Sequence, residues 1–190
     1  MRRNIVVIQT RVYFLLPLII LLFPDGWILS WFIAATIHEC FHIAAIRIFR
    51  VRILKIEIGI LGAKIEAEPM HTATECICAL VGPVGALSVL LFSRYIPRIA
   101  LCVFAQSAYN LLPVYPLDGG RALRCILISR VKGEWAAFAE QVVLYGIIIA
   151  CLFGTVFLKL GILPVLLCIG LFIRYRNANR PCKQRFYRVQ

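Results

Sequence analysis

The chain has 190 residues, a formal charge of +12 from 21 Lys+Arg against 9 Asp+Glu, 62% hydrophobic and 16% charged residues, and a mean hydropathy of +0.87. Soluble domains run nearer half apolar and a quarter charged, so a disordered chain, a coiled coil and an ordinary soluble domain are excluded. The composition is that of a polytopic membrane protein, with length for one domain or two small ones. Eight cysteines sit mostly inside apolar stretches and form no CxxC pair. There Cys behaves as a small hydrophobe rather than a disulfide framework. Cys76 and Cys78 alone do not close a zinc site.

Runs free of Asp, Glu, Lys, Arg and His cover 12–24, 26–37, 76–93, 99–117, 141–158 and 160–173. A crossing helix needs about 20 apolar residues, relaxed by tilt and snorkelling. The fold class expected is an all-α polytopic membrane protein with six transmembrane helices, at 5–24, 27–46, 74–93, 99–118, 139–158 and 160–174. In the first, Arg11 either snorkels or marks the true start. Pro17, Pro24 and Asp25 make no small-residue cleavage site, so a retained helix is expected there rather than a signal peptide.

Between spans two and three the period changes. Val51, Ile53, Ile56 and Ile58 interleave imperfectly with Arg52, Lys55 and Glu57, and Ala63, Ile65 and Ala67 alternate with Lys64, Glu66 and Glu68. Gly59 and Gly62 bracket the centre, which predicts a small β-hairpin directly after the second span. Pro69 ends it, and His71 follows as a solvated loop residue. Gly82 and Gly85 suit close helix packing, and Trp27, Trp31 and Trp135 suit interfacial belts.

The loops set the orientation. With a cytoplasmic N-terminus, 18 of the 21 Lys and Arg fall in cytoplasmic segments, leaving Arg94, Arg98 and Lys159 outside. That split is a positive-inside signature and places both termini in the cytoplasm. Because the charges are shared among four segments, a nucleic-acid partner is not expected despite the basic pI. The basic tail, 174–188, meets anionic lipid head groups instead.

Span two contains His38-Glu39-Cys40-Phe41-His42, an HExxH. Four residues is about one helical turn, so both imidazoles project from one face and can hold one metal. Glu39, a third of a turn on, can reach water at that metal without being a ligand. Ionisable groups inside a membrane cost about 2.5 kcal/mol or more and mark function. Counting back from Arg47 puts the two histidines roughly 8–14 Å below the cytoplasmic surface. Two His still leave a zinc site one protein ligand short.

Asp118 is expected to be the only other intramembrane carboxylate candidate, in Asn110-Leu-Leu-Pro-Val-Tyr-Pro-Leu-Asp118-Gly-Gly-Arg121. Pro113 and Pro116 break the helix begun near Ile99. Irregular backbone at membrane depth is tolerated only where protein buries it or water reaches it. Asp118 supplies a hard oxygen, or a cap for a helix starting near Gly119. His, His and Asp with an open fourth position is a catalytic zinc geometry.

HECFH on an early span with NLLPVYPLDGGR on a later one resembles the site-2 protease family of intramembrane zinc metallopeptidases, in particular its stage IV sporulation protein FB branch. The resemblance covers residues from about 28 to 176 and rests on the two motifs together. It implies zinc held by His38, His42 and Asp118, Glu39 as catalytic base, and Asn110 and Pro116 close to the active site, Asn110 positioning the substrate chain. It implies residues 1–176 as the protease domain and 177–190 as a short basic cytoplasmic tail. The tail is too short for the nucleotide-binding domain that some of the branch carry, and no outside loop is long enough for a PDZ insertion. The implied partners are a membrane-tethered sigma-factor precursor as substrate and inhibitory membrane proteins. The alternative is a proton- or metal-coupled transporter, which also places His, Glu and Asp at mid-membrane. Transporters of that kind pair matching broken helices, and here span four alone is broken.

Overall fold

A computed structural model describes residues 6–8, 26–59, 62–130, 133–157 and 163–178. The chain divides into two compact units, residues 1–110 and 111–190.

In the first unit, α1 (Trp27–Ile48) is 22 residues long, about 33 Å. A hairpin follows, β2 (Ile53–Gly59) and β3 (Gly62–Ala67), then α2 (Thr72–Ala86), a 3-10 extension (Leu87–Phe92) and α3 (Pro97–Asn110). α1 and the stretch Thr72–Phe92 are long and apolar enough to cross a membrane. Ala34 of α1, Ala86 of α2 and Cys102 and Val103 of α3 form the helical core, where small residues let the helices approach closely. Gly85 is part of that fit, since a Cβ there would run into the Phe41 ring.

The hairpin is antiparallel, with Ile56 opposite Ile65 and Gly59 opposite Gly62 as the last pair before the turn. A register shift between Ile53 and Lys55 marks a bulge. This bulge is the imperfect alternation read from the sequence, because one extra residue returns Ile56 to the face of Ile53. Ile53, Ile65 and Val51 pack on Ala45, Ile46 and Cys78, which anchors the sheet where α1 ends and α2 begins.

One expectation is corrected here. Residues 6–8, assigned to the first transmembrane helix, form a strand, β1 (Val6–Ile8), parallel to β2, so the sheet has three strands in the order β1-β2-β3. Ile5-Val6-Val7-Ile8 is a β-branched run that fits a pleated sheet better than the first turn of a helix. Parallel neighbours need a crossover, and here it contains α1. The rest of that expected span, residue 5 and 9–24, lies outside the described residues.

In the second unit, the irregular stretch 111–117 leads into α4 (Asp118–Arg130), α5 (Gly133–Phe157) and α6 (Leu163–Ala178). α5 and α6 overlap the expected fifth and sixth spans over 139–157 and 163–174, the other residues of those spans lying outside the described residues, and Leu144 and Leu171 are buried. None of the seven cysteines among the described residues is in a disulfide.

Candidate metal centre

His38 and His42 are buried on one face of α1, 5% and 7% exposed. Their Nε2 atoms are 3.1 Å apart and the rings meet edge to face. Two donors about 2.0–2.1 Å from a tetrahedral zinc stand roughly 3.3 Å apart, so this spacing suits a shared ion. A second contact orients His42: its Nδ1 lies 2.8 Å from the Cys78 carbonyl oxygen of α2. A carbonyl can only accept, so Nδ1 carries the proton and Nε2 is left as the lone-pair nitrogen. Outer partners of this kind hold a ligating His in one tautomer and one orientation. The same spacing also serves a hydrogen bond donated by His38 Nε2 to His42 Nε2, and metal content separates the two.

Gly82 completes the cradle. A Cβ at that position would clash with the His42 ring, nearest at Nε2, so the imidazole lies directly against the α2 backbone. Sequence reading took Gly82 for a packing glycine and missed its contact with a candidate ligand. The signal was its spacing of three from Gly85 on the helix following the hairpin. Glu39, half-buried, sits between the histidines in sequence and a third of a turn from His38.

In the second unit, Asp118 opens α4 as part of its first turn, where the helix dipole favours a carboxylate. The first bond of that helix runs from Arg121 N to Leu117 O, so Asp118 is inside the helix rather than flanking it as a cap. Its side chain is 13% exposed, with Arg121 Nη1 at 3.9 Å from Oδ1. The stretch before it folds back tightly. Val114 N donates to Leu112 O and Leu117 N to Val114 O. A Cβ at Gly119 would strike the Leu111 carbonyl, and one at Gly120 the Val114–Tyr115 peptide. The Gly-Gly pair is therefore what allows this loop to lie on the first turn of α4. Pro116 is in that loop, half-buried, after a cis peptide bond, and Asn110 is the last residue of α3 in the first unit.

His71 caps α2, accepting a bond from Ala73 N at Nδ1, 3.3 Å away, and is exposed. Trp27, Trp31 and Trp135 are all exposed. A further carboxylate escaped the sequence reading. Glu140 in α5 is 6% exposed and faces Arg124 of α4, Nε to Oε1 3.4 Å. It lies one residue before the uncharged run 141–158, which is why counting runs placed it at a boundary.

No known protein family's sequence profile matches the chain, and no curated protein does. Among solved structures, the chain is similar to the Site-2 Protease from Methanocaldococcus jannaschii. The TM-score is 0.68 at 18% identity, over 95% of this chain and 94% of that one. The fold, along nearly its whole length, is the fold of that site-2 protease.

Proposed function

We propose that this protein is an intramembrane zinc metalloprotease of the site-2 protease family, cutting a peptide bond in a membrane-tethered protein precursor. The observation that carries the reading is the meeting of the His38 and His42 Nε2 atoms on an apolar helix, with His42 turned into place by Cys78. His38, His42 and Asp118 each offer one ligand atom and are the residues that would hold zinc. Two neutral nitrogens and one anionic oxygen leave the fourth position open, as at catalytic zinc. Zinc, when bound, supplies Lewis acidity to a carbonyl and makes water acidic near neutral pH. The Glu39 carboxylate takes the proton of the attacking water and delivers it to the leaving amine nitrogen. Asn110 and Pro116 line the substrate's path, the Asn110 amide having both a donor and an acceptor to offer an extended backbone.

A transmembrane substrate must unwind before cleavage, because its carbonyls are held in i→i−4 bonds. The unwound segment adds to the β3 edge of the sheet. In support, β1 covers β2 on the other side, so β3 is the outer strand of the hairpin among the described residues. The basic segments argue for a multi-pass protein with cytoplasmic termini and a site in the cytoplasmic half of the bilayer. Residues 1–176 act as the protease domain, while 177–190 rest on anionic lipid. The substrate class we infer is a sigma-factor precursor of sporulation, cleaved by regulated intramembrane proteolysis under restraint by inhibitory membrane proteins. The motif resemblance supports this finer reading, and the likeness in fold does not favour a transporter.

Zinc analysis of the purified full chain, with co-expression beside membrane-tethered sigma-factor precursors, tests the proposal. About one zinc per chain and chelator-sensitive cleavage are expected. Zinc or proton flux without cleavage would select the transporter. Cleavage of other tethered proteins but no sigma-factor precursor would overturn the substrate class alone.

A further inference from the structure

Tyr115, Arg124 and Glu140 converge in the second unit and have no part in the proposed chemistry. We infer that Arg124 is a positioning residue for the Asp118 loop, acting through the Tyr115 ring on one side and Glu140 on the other. The inference rests on the proposed zinc site.

Glu140 is buried in an apolar stretch of α5, where a carboxylate persists only when paired. Arg124 of α4 provides that partner, Nε to Oε1 3.4 Å. The same guanidinium lies over the Tyr115 ring, 4.7 Å from its centroid, within cation–π range. A planar guanidinium can pair along its edge and stack on its face at once, which a lysine ammonium cannot. A plain α4–α5 ion pair accounts for the contact with Glu140 but not for the ring. Tyr115 is three residues before Asp118, and the link between them is stiff. Leu117 N is bonded to Val114 O, Arg121 N to Leu117 O, and the Gly120 backbone lies directly on the Val114–Tyr115 peptide. A shift of the Tyr115 backbone is therefore passed on to the Asp118 turn, and the guanidinium stacked on the ring opposes that shift. One guanidinium thus ties loop, α4 and α5 together beside a candidate ligand.

The test is the zinc dissociation constant of the solubilised full chain, by competition with a chromophoric chelator, alongside its thermal melting midpoint. Tyr115→Leu and Arg124→Met are each expected to weaken zinc about 10–100-fold, as removal of outer-shell partners does. The double variant should be no weaker than the poorer single, because both break one linkage. Tyr115→Phe, which keeps the ring, should bind more tightly than Tyr115→Leu, and Arg124→Lys should resemble Tyr115→Leu. If Arg124→Met fails to fold, the two Tyr115 variants decide, since they leave the buried ion pair intact. Unchanged zinc affinity in Tyr115→Leu, with or without a lower melting midpoint, would overturn the proposal and leave a structural brace. Losses that multiply in the double variant would overturn it too. A parent chain that binds no zinc would remove the zinc reading itself, and this inference with it.

Discussion

His42 is gripped by one turn of α2 in two ways, by the Cys78 carbonyl at Nδ1 and by the bare backbone at Gly82. Gly82→Ala therefore forces the imidazole or the helix to move. A loss of about 1–3 kcal/mol in stability is expected, with zinc bound at least about tenfold more weakly; melting and chelator competition read the two separately. Unaltered zinc affinity would mean that the ring is not held there. The division of labour between ligands and base gives a second test. Glu39→Gln keeps the shape and all three proposed ligand atoms, so zinc content should persist while cleavage falls by about 10²–10⁴-fold or more, the range for a lost general base. His42→Ala should lose zinc and activity together, and Asp118→Asn should weaken both by removing the ligand set's only charge. Near-parental cleavage by Glu39→Gln would end the HExxH reading. The i, i+4 histidines were legible in the sequence because helical period alone puts them on one face. Cys78 and Gly82 were not, because their roles depend on how α1 and α2 pack.

At the scale of elements, the hairpin was legible from its change of period, and its bulge from one misplaced residue. The partner strand was not: β1 is three residues long and separated from β2 by an entire helix, so nothing local announces it. Its presence changes which substitution tests substrate docking. Ile56 is in the central strand, opposite both Val6 and Ile65, so a proline there breaks the sheet itself. Ile65 is in the outer strand. Glu68 N donates to Arg52 O, and antiparallel alternation then turns the N–H groups of Glu66 and Lys64 inward and that of Ile65 outward. Ile65→Pro removes an outward donor, while Ile65→Ala controls for the side chain packed near Cys78. Cleavage should drop markedly in the proline variant alone, at unchanged zinc content. Equal cleavage by the two variants would place the substrate elsewhere.

Across the molecule, the basic residues of the first unit divide between the two ends of α1. The sheet, anchored where α1 ends, lies among Arg47, Arg50, Arg52 and Lys55, whereas Arg98 stacks over Trp27 where α1 begins. α1, α2, α3, α5 and α6 were legible from uncharged runs, and the break after α3 from Pro113 and Pro116, whereas α4, with Asp118, Arg121, Arg124 and Arg130, lies in no such run. α3 stops at Asn110 and a new helix starts at Asp118, because Pro113 and Pro116 interrupt the stretch between them and Gly119 and Gly120 let that stretch lie on the first turn of α4. A count of apolar residues merges these pieces. A count of Lys and Arg is less sensitive, since loops keep their charges wherever the helix ends fall. With 18 of 21 basic residues assigned to one side, both termini are expected in the cytoplasm. Cys182, in the basic tail outside the described residues, reports on the C-terminus once the other seven cysteines are replaced. A membrane-impermeant maleimide should leave it unlabelled in intact cells and label it once the membrane is opened. Labelling from outside in intact cells would invert the topology, and the HExxH histidines, two turns or so from the Arg47 end of α1, would then open towards the opposite compartment.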